Sequence, residues 1–532
     1  MSKKLIGSNN LIVQGSILAI ASLIVRLIGL LYRIPLVNIL GIEGSGYYAS
    51  AYTIYTFLLI ISSYGLPAAI SKIIAKRMTI KKYKEAHIIF KSSLVFAVII
   101  GAAFSGILYF GAEWYSNFIE IPKAKIAIQG LAPALFIFSF MSVFRGYYQG
   151  MNTMVPTAIS QIIEQVFNAI FSLVIAMLLL QRGVEYAAAG SSIGTGMGAF
   201  FGTVFLVIVY FMMRPKIHER CQKDTNTIES GNITFYWKLL LMTSIPMLIG
   251  STAFHVTNLV DGIMFNKALA FHQYSALQIA SLSGLFEGKY KILITLPVSI
   301  AAAMATASIP SITKSLVLND HTVVVKKVDL AIRSVLMVSI PAMVGVFVLA
   351  RPILELLFKD MSYIDVTVNI LKLGSITIVL FGVSTISIGL LQGLGLLNIP
   401  VKNSLISLVI KVLFNILFLY VLDTNLYGAV ITNIIFAAIS GYLNFRAVRQ
   451  YLSLKINIYK TIVAPSIASA IMGVVTFVVY TLLAIVIAPK LSTVLVLPVA
   501  MIVYLIALLK LKTFDADELN AIPFGSKLKR FL

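Results

Sequence analysis

The chain has 532 residues, of which 59% are hydrophobic and only 12% are charged, and its mean hydropathy is +0.95. Soluble globular proteins carry about 25% charged residues because they need a wetted surface. The composition therefore excludes a string of soluble domains and predicts a chain surrounded mostly by lipid. The formal net charge is nevertheless +22. In a soluble protein that excess would indicate nucleic-acid binding, whereas in a membrane protein it reflects the orientation of the chain in the membrane. The location of the basic residues decides between these two explanations.

Motifs of common enzyme and metal sites are missing from the sequence. The single cysteine, Cys221, excludes a disulfide framework, and the five histidines are scattered without ligand spacing. No HExxH, Walker or GxSxG motif occurs. The N-terminal apolar run continues past Arg26 to Leu40, too long for the roughly 7–15-residue core of a signal peptide. We therefore predict no catalytic residue, no metal and no other cofactor, and interpret the run as a membrane span.

Hydropathy along the chain predicts an all-α polytopic membrane protein with about fourteen transmembrane helices. Each span needs about 20 mostly apolar residues. The predicted spans lie near residues 11–39, 47–74, 88–110, 126–148, 157–180, 186–213, 238–265, 276–309, 330–350, 366–391, 401–421, 427–448, 459–487 and 491–511.

The basic residues are distributed asymmetrically across these spans. With the N-terminus on the cytoplasmic side, 29 of the 42 Lys and Arg residues fall in cytoplasmic ends and loops, and six lie within spans. The seven on the outside are Lys123, Lys125, Arg182, Lys267, Arg351, Lys359 and Lys490. This asymmetry follows the positive-inside rule and predicts that both termini are cytoplasmic. Topology and contact with anionic lipid heads thus account for most of the charge, and we predict no nucleic-acid partner.

The two halves of the chain resemble each other. Ala69–Lys72 recurs as Ser311–Lys314, 242 residues later, and the Gln-Gly pair at 149–150 corresponds to that at 392–393. Since about six spans separate equivalent segments, both halves have the same orientation, which indicates two six-helix lobes related by a pseudo-twofold axis along the membrane normal. The predicted domains are an N-terminal lobe (1–213), a cytoplasmic linker (214–237), a C-terminal lobe (238–450), two extra transmembrane helices (451–512) and a cytoplasmic tail (513–532).

Some charged residues lie within the spans. A charge near the bilayer centre costs roughly 2.5–3.5 kcal/mol on insertion scales, so it normally faces a cavity or a partner. The basic residues within spans are Arg26, Arg33, Lys289, Lys291, Lys372 and Lys411. The acidic ones are Glu164, Asp261 and Glu287. Their net charge of +3 predicts that the membrane interior holds a site for anions.

Four of the basic residues are candidates for that anion site. Arg26 lies near the middle of the first span, and Arg33 lies two helical turns further on the same face. We interpret Arg26 as lining a cavity, with a structural ion pair as the alternative, whereas Arg33 is near enough to the outer end to snorkel instead. Lys289 and Lys291 lie in the eighth span, where Glu287, four residues before Lys291, allows a local ion pair.

Glu164 corresponds to Lys411 in the second half of the chain. It is either a counter-ion that ties spans together or a residue that couples transport to a proton or cation. Asp261, close to the outer end of its span, is either functional or an interfacial structural residue, and Lys372 is interpreted as snorkelling. The residues with ion-coupling or structural roles are therefore Glu164, Asp261 and Glu287. A glycine at every fourth residue of the sixth span predicts close helix packing, at Gly190, Gly194, Gly198 and Gly202.

Several motifs, taken together in their order and spacing, resemble the SpoVB/YtgP group of MurJ-like flippases. They are RLIG at 26–29 with RIP at 33–35, GIEGSGYY at 41–48, GLPAAISK at 65–72 and FRGYYQGMNTMVPTAISQIIEQ at 144–165. The similarity extends over nearly the whole chain. That group belongs to the superfamily of multidrug and toxin extruders and oligosaccharide-lipid flippases.

The resemblance implies a flippase that moves a polyprenyl-diphosphate-linked saccharide from the inner to the outer leaflet of a bacterial plasma membrane. The simplest cargo is lipid II, the peptidoglycan precursor. The resemblance also implies a cationic cavity between two lobes and a groove for the lipid tail at the last two helices. The substrate-binding residues would be Arg26, Arg33, Lys289 and Lys291. The implied partners are the lipid-linked saccharide, membrane lipid and cell-wall synthesis proteins.

Other functions remain open at this point. The cargo could be another polyprenyl-linked polysaccharide unit, in vegetative growth or in sporulation. A cation or drug antiporter of the same superfamily should favour acidic cavity residues and about twelve spans. A membrane glycosyltransferase needs catalytic carboxylates on substantial outer loops, which the short loops here do not offer, so no enzyme is predicted. A non-transporting assembly protein for cell-wall or spore-coat synthesis is the last alternative.

Overall fold

Inside a bilayer every backbone N–H and C=O group must be hydrogen-bonded within the protein, which favours helices in so apolar a chain. The computed structural model describes residues 11–224, 232–317, 320–454 and 456–513, and these residues are almost entirely helical and contain no strand. The chain divides into two compact units, Met1–Gly288 (unit 1) and Lys289–Leu532 (unit 2). The predicted all-α class is confirmed.

Unit 1 is built from long helices with two local signals that set their course. Gly41 interrupts the second helix, α2 (Arg33–Leu59), with φ +64° and ψ −170°, a conformation that favours glycine. It thereby separates the first two predicted spans. At the start of α9, the Ser275 hydroxyl accepts from the Gln278 N–H while the Gln278 side chain accepts from the Ser275 N–H, a capping box. The helices are α1 (Leu11–Leu31), α2 (Arg33–Leu59), α3 (Leu66–Thr79), α4 (Tyr83–Phe118), α5 (Ala124–Gly150), α6 (Val155–Leu179), α7 (Val184–Gln222), α8 (Ile233–Phe271) and α9 (Ala276–Gly284).

The glycine stripe of α7 lies directly against α6, which confirms the predicted close packing. A Cβ atom added at Gly190 would lie 2.8 Å from the carbonyl oxygen of Ile175, and one added at Gly194 would overlap the backbone of Ser172. The two backbones approach so closely that no larger side chain fits between them. In lipid, where the hydrophobic effect does not drive helices together, this van der Waals contact is a main source of association.

A second backbone contact joins α2 to α9. A Cβ atom added at Gly46 would overlap the carbonyl oxygen of Ala280, and one added at Gly284 would overlap that of Ile42. Both glycines are buried. The two helices therefore cross with no layer of side chains between them, and α9 is held against the second half of α2 inside unit 1.

Unit 2 has one large apolar core and a smaller one. The large core combines four helices, which are α10 (Lys291–Val317), α11 (His321–Val348), α14 (Ile376–Gly393) and α16 (Asn425–Leu452). Val335, Ile386 and Val448 are fully buried in it. The last two helices pack on each other and against α11, where the Tyr504 hydroxyl donates to the Met337 carbonyl oxygen over 2.8 Å. The helices are α10 (Lys291–Val317), α11 (His321–Val348), α12 (Ala350–Leu357), α13 (Ile364–Gly374), α14 (Ile376–Gly393), α15 (Asn398–Asn415), α16 (Asn425–Leu452), α17 (Ala464–Val486) and α18 (Pro489–Lys510).

The predicted spans coincide with helical structure throughout. In the described residues, 12 helices are long and apolar enough to cross a membrane. One of these, Ile20–Thr79, has 60 residues and includes most of the first predicted span and all of the second. The span predicted at 238–265 is not among the twelve, although α8 occupies it. The chain is therefore a multi-pass membrane protein, and the count of fourteen spans stays a prediction.

The order of helices agrees with the predicted internal repeat. The Gln-Gly pairs at 149–150 and 392–393 end α5 and α14, and each is followed by a proline in the first turn of the next helix, Pro156 or Pro400. Helix α7 extends into the predicted linker 214–237 as far as Gln222, whereas residues 225–231 and all but the first residue of the predicted tail lie outside the described residues. The domain boundaries stay a prediction, since the division at Gly288 does not test the repeat.

The α6–α7 contact predicts that a leucine substitution destabilises the protein at Gly194 but not at Gly106. Replacing Gly194 with Leu should force the helices apart and lower the melting temperature and the amount of folded protein recovered from membranes. Gly106, on α4, has open space where its Cβ would be, so Gly106→Leu is the matched control and should leave both quantities near wild type. Thermal unfolding of the detergent-purified variants measures the difference. Equal melting temperatures for the two variants would contradict the packing assigned to the stripe.

Candidate binding site within the membrane helices

The face of α1 that carries Arg26 is turned towards α6. Ser22 Oγ donates to Gln161 Oε1 over 3.5 Å, and a Cβ atom added at Gly29 would lie 3.1 Å from Gln165 Nε2. Residues 22, 26 and 29 lie on one helical face, so Arg26 adjoins this polar stripe of α6. The Arg26 side chain is exposed and takes part in no ion pair within the described residues. The structural ion pair considered for Arg26 is therefore not present among those residues.

Arg33, the first residue of α2, is held among tyrosines. Its guanidinium carbon lies 5.4 Å from the centroid of the Tyr52 ring, a cation–π distance. The Tyr52 ring in turn lies 5.6 Å from that of Tyr48 and 5.7 Å from that of Tyr55. The buried Tyr55 hydroxyl makes no hydrogen bond within the described part of the chain. This tyrosine cluster orients the Arg33 guanidinium and offers aromatic surface and a hydroxyl beside it.

Glu164 forms an ion pair that links two helices. Its Oε2 accepts a hydrogen bond from Arg145 Nη2 over 2.6 Å, and Arg145 Nε also donates to Ser160 Oγ over 3.1 Å. Tyr52 and Tyr55 lie close enough to Glu164 to interact with it electrostatically. The counter-ion interpretation of Glu164 thus has a structural partner, and the pair cancels its charge beside the tyrosine cluster.

Arg145 is one of the 29 basic residues assigned from the sequence to cytoplasmic ends and loops, and its ion pair with Glu164 was not predicted. The sequence does contain a signal for it. α5 ends at Gly150 and α6 begins at Val155, so a short turn joins two antiparallel helices. Arg145 and Glu164 both lie within about three helical turns of that connection, which puts them at comparable depths on facing helices.

The two lysines of the eighth span have different surroundings in unit 2. Lys289 is almost fully buried, its Nζ donates to the carbonyl oxygen of Asp360 over 2.5 Å, and it lies 5.9 Å from the centre of the Phe358 ring. Lys291 begins α10 and is half-buried. Lys289 is thus tied to the loop between α12 and α13, and Lys291 is the more accessible of the two cations.

The remaining charged residues within spans are also engaged. Lys411 is buried, its Nζ donates to Asn433 Oδ1 over 2.7 Å, and it lies 5.0 Å from the centre of the Phe436 ring. Lys372 is exposed and lies 5.9 Å from the centre of the Phe347 ring. Two acidic residues remain, Asp261 and Glu287. Each is half-buried and takes part in a polar or electrostatic interaction.

An apolar cleft of about 350 Å³ opens in unit 2 between α11, α14, α16 and the beginning of α17. Its walls include Leu336, Ile340 and Val383 from the first two of these helices, and Ile462 from the turn that precedes α17. Phe445 contributes the wall on α16. The cleft is suited to a hydrocarbon chain because almost all of its lining is apolar.

The structure brings together part of the predicted site. In unit 1, Arg33 and Glu164 lie around the same tyrosine cluster, and Arg26 lies on the face of α1 that adjoins α6. Lys289 and Lys291 belong to unit 2. Within the described ranges no group of His, Cys, Asp or Glu side chains could hold a metal ion.

Long apolar helices, joined by polar contacts such as the Arg145–Glu164 ion pair, define this chain as a polytopic membrane protein. The family profile described as "Polysaccharide biosynthesis protein" matches residues 12–316, more than half of the chain, and the MatE profile matches residues 290–417. The chain therefore belongs to the polysaccharide biosynthesis protein family.

Curated relatives cover most of the chain. It is 26% identical over 475 residues to the lipid II flippase MurJ of Bacillus subtilis (strain 168), with 86% of each chain covered. It is 23% identical over 396 residues to stage V sporulation protein B of the same organism, covering 74% of this chain and 75% of that protein. The predicted resemblance to the MurJ and SpoVB proteins is confirmed.

Solved structures show the same fold. A lipid II flippase MurJ in an inward closed conformation superposes with a TM-score of 0.66 at 16% identity, covering 92% of this chain and 97% of that one. An inward-facing multidrug resistance MATE family transporter of the MOP superfamily gives a TM-score of 0.67 at 14% identity, covering 81% and 94%. Because these homologues are transporters, the prediction that the chain is not an enzyme is also confirmed.

The Arg145–Glu164 pair predicts strong coupling in a double-mutant cycle. Arg145→Gln and Glu164→Gln should each destabilise unit 1, because each leaves a partly buried charge without its partner. The double variant should lose less than the sum of the two, by about 0.5–3 kcal/mol. Unfolding of purified protein by denaturant in mixed micelles gives the free energies of unfolding.

The exposed pair of Glu219, in the last turn of α7, and Lys223, the residue after that helix, has an Nζ–Oε1 distance of 2.6 Å and is the matched control. Its side chains are 74% and 60% exposed, so Lys223→Gln should change the free energy of unfolding very little. Additive losses at Arg145 and Glu164 would show that the two residues do not stabilise the protein as a pair.

Proposed function

We propose that the protein is a flippase that carries a polyprenyl-diphosphate-linked saccharide from the inner to the outer leaflet of the bacterial plasma membrane, with both termini cytoplasmic. Lipid II is the proposed cargo. The observation that carries the proposal is the pair of guanidinium groups in the first two helices, Arg26 beside the polar stripe of α6 and Arg33 beside Tyr52. The relationship to the lipid II flippase MurJ supports the class of cargo.

The diphosphate is the part of such a cargo that is hardest to move through a membrane. Fixed cations that replace its hydration lower that cost, and a guanidinium can donate two parallel N–H bonds to phosphate oxygens. The contact with Tyr52 holds Arg33 in one orientation, so less conformational entropy is lost on binding. Glu164 does not compete for these arginines because its carboxylate is already bound by Arg145.

The lysines of the eighth span complete the proposed set of cations. Lys291 is the candidate for a direct point-charge contact with the cargo. Lys289, whose ammonium is bound to the Asp360 carbonyl oxygen, contributes positive potential and retains two further N–H donors. Glu164, Asp261 and Glu287 are proposed to have structural or ion-coupling roles, of which the ion pair with Arg145 favours the structural one for Glu164.

The polyprenyl tail is assigned to the apolar cleft beside α17. Its lining residues come from α11, α14, α16 and the segment that leads into α17, so a hydrocarbon chain seated there would be covered by protein on several sides. A diphosphate held by cations and a tail held by an apolar cleft match the two chemical halves of the proposed cargo.

Movement of the cargo would follow alternating access, in which a site opens first to one side of the membrane and then to the other. The sequence has no nucleotide-binding motif, so the proposed driving force is the membrane potential, an ion gradient or consumption of the cargo outside. Moving one elementary charge through 100 mV yields about 2.3 kcal/mol.

Two further candidates have specific support. The similarity to stage V sporulation protein B favours a sporulation-specific or other polyprenyl-linked saccharide as an alternative cargo. The MatE match and the MATE-like fold favour a cation or drug antiporter. The excess of basic over acidic residues within the spans makes the antiporter the weaker candidate, because a cationic drug would be repelled.

The test is lipid II accessibility from outside in cells depleted of their other flippases. Expression of this chain should expose lipid II, and Arg26→Ala should lower that exposure at least about tenfold, the factor for 1.4 kcal/mol of lost binding. Arg182→Ala is the matched control, because Arg182 is exposed in the turn between α6 and α7, and should retain wild-type activity at equal protein level.

Three outcomes would contradict the proposal at different points. Lipid II that stays inaccessible in cells expressing the wild-type chain would exclude lipid II as the cargo. Wild-type activity in the Arg26→Ala variant would remove Arg26 from the site. Retained activity when all four proposed cations are replaced would favour a non-transporting assembly role for the chain, with exposure of lipid II caused indirectly.

A further inference from the structure

One end of unit 1 is rich in basic residues, and it contains a cavity that is separate from the charged residues discussed above. The cavity measures about 350 Å³ and lies between the end of α3, the beginning of α4, the end of α5 and the last turns of α7. All of these elements belong to unit 1. We call it the basic-end cavity.

The walls of the basic-end cavity have an apolar part, a cationic part and neutral polar side chains that include Thr79, Asn152 and Thr153. Methionine and isoleucine side chains supply the apolar part, at Met78, Met151, Met213 and Ile217. Lys216 and Arg220 supply the cationic part and lie one turn apart on α7. Residues 213, 216, 217 and 220 share one helical face, so one face of α7 presents both an apolar surface and two positive charges.

The acidic groups near this end are bound to other partners. Glu85 Oε1 accepts from Arg77 Nε over 2.7 Å, and Glu219 Oε1 accepts from Lys223 Nζ over 2.6 Å. The carboxylate of Asp224 accepts from the backbone N–H of Lys84 over 2.9 Å. Among the described residues, each of these three carboxylates thus has a hydrogen-bond partner other than Lys216 and Arg220, although Glu219 still interacts electrostatically with both.

Lys216 and Arg220 are exposed, and neither takes part in an ion pair within the described residues. The opposite end of unit 1 differs, because three of its basic side chains lie within 4 Å of carboxylates there, namely Lys123, Lys125 and Lys267. The basic-end cavity thus carries two cations that form no ion pair with a carboxylate of the described residues, next to its apolar part.

We propose that the basic-end cavity binds one anionic phospholipid. The phosphodiester lies between Lys216 and Arg220, where the guanidinium can donate a pair of N–H bonds and the ammonium acts as a point charge. The beginning of an acyl chain lies against the methionines, whose flexible thioethers adapt to an irregular hydrocarbon surface. Basic pockets between membrane helices are a general site for anionic lipid heads.

A free phosphate ion shares the headgroup chemistry but leaves the apolar part of the cavity uncovered. This difference favours the lipid, and it is the basis for the test. The site involves none of the residues proposed to bind the cargo, so it stands or falls independently of the proposed flippase activity.

The experiment measures thermal unfolding of the purified full chain during titration with short-chain dioctanoylphosphatidylglycerol. A saturable rise in melting temperature is expected, because a ligand that binds the folded state stabilises it by mass action. Dioctanoylphosphatidylcholine and inorganic phosphate are run at the same concentrations. The double variant Lys216→Gln/Arg220→Gln should raise the apparent Kd at least about tenfold, the factor for 1.4 kcal/mol of lost binding.

The control variant is Arg214→Gln/Lys91→Gln, which removes the same charge from the basic end of unit 1 at two exposed residues outside the cavity lining. It should shift the apparent Kd by no more than about twofold, well short of the tenfold factor for 1.4 kcal/mol. Met213→Trp fills the cavity without changing its charge and should also weaken binding of the anionic lipid.

Melting temperatures without ligand, together with native mass spectrometry of lipids retained by the wild-type protein, show whether each variant is folded and whether lipid is bound. Equal weakening by the two double variants would reduce the effect to general surface charge and overturn the proposal. Saturable stabilisation by inorganic phosphate equal to that by the lipid would also overturn it, as would unaltered binding in folded Met213→Trp. Equal stabilisation by phosphatidylcholine would exclude recognition of the anionic headgroup.

Discussion

The ion pair between Arg145 and Glu164 is one example of a general constraint on this protein: each charged side chain within the membrane helices needs a compensating group. A charge inside a membrane is costly unless another group satisfies it, and within the described residues different charges meet that need in different ways. Arg145 and Glu164 neutralise each other, Arg33 lies over an aromatic ring, and Lys289 and Lys411 donate to neutral oxygens. The acceptors of the two lysines carry no formal negative charge, whereas the ion pair brings one positive and one negative charge together.

Much of the fold could be predicted from the sequence because it depends on local composition. Long apolar runs locate the helices, Gly41 separates the first two spans, and the glycine stripe of α7 marks a close contact. The helix that packs against that stripe could not be predicted, because any helix with small or recessed side chains could pack there equally closely. Division of the chain at Gly288 also depends on packing across distant segments, which residue patterns do not encode simply.

The candidate site was predictable in its residue types and less so in its contacts. Charges placed within apolar spans identified Arg26, Arg33 and Glu164 without any structure. Arg145 was missed because it lies close to the end of its span, where a basic residue ordinarily reports topology. The contact of Lys289 was missed for a different reason, since its acceptor is a backbone carbonyl oxygen 71 residues away, and backbone acceptors leave no mark in a sequence.

The crossing of α2 and α9 has a mechanical consequence. Where side chains interdigitate, one helix can turn against another only if those side chains repack, and packed cores resist such continuous deformation. Gly46 and Gly284 leave bare backbone at this crossing, so a change of angle between the helices requires no exchange of rotamers there. A tilt of α9 about this crossing would therefore leave the two helices in backbone contact.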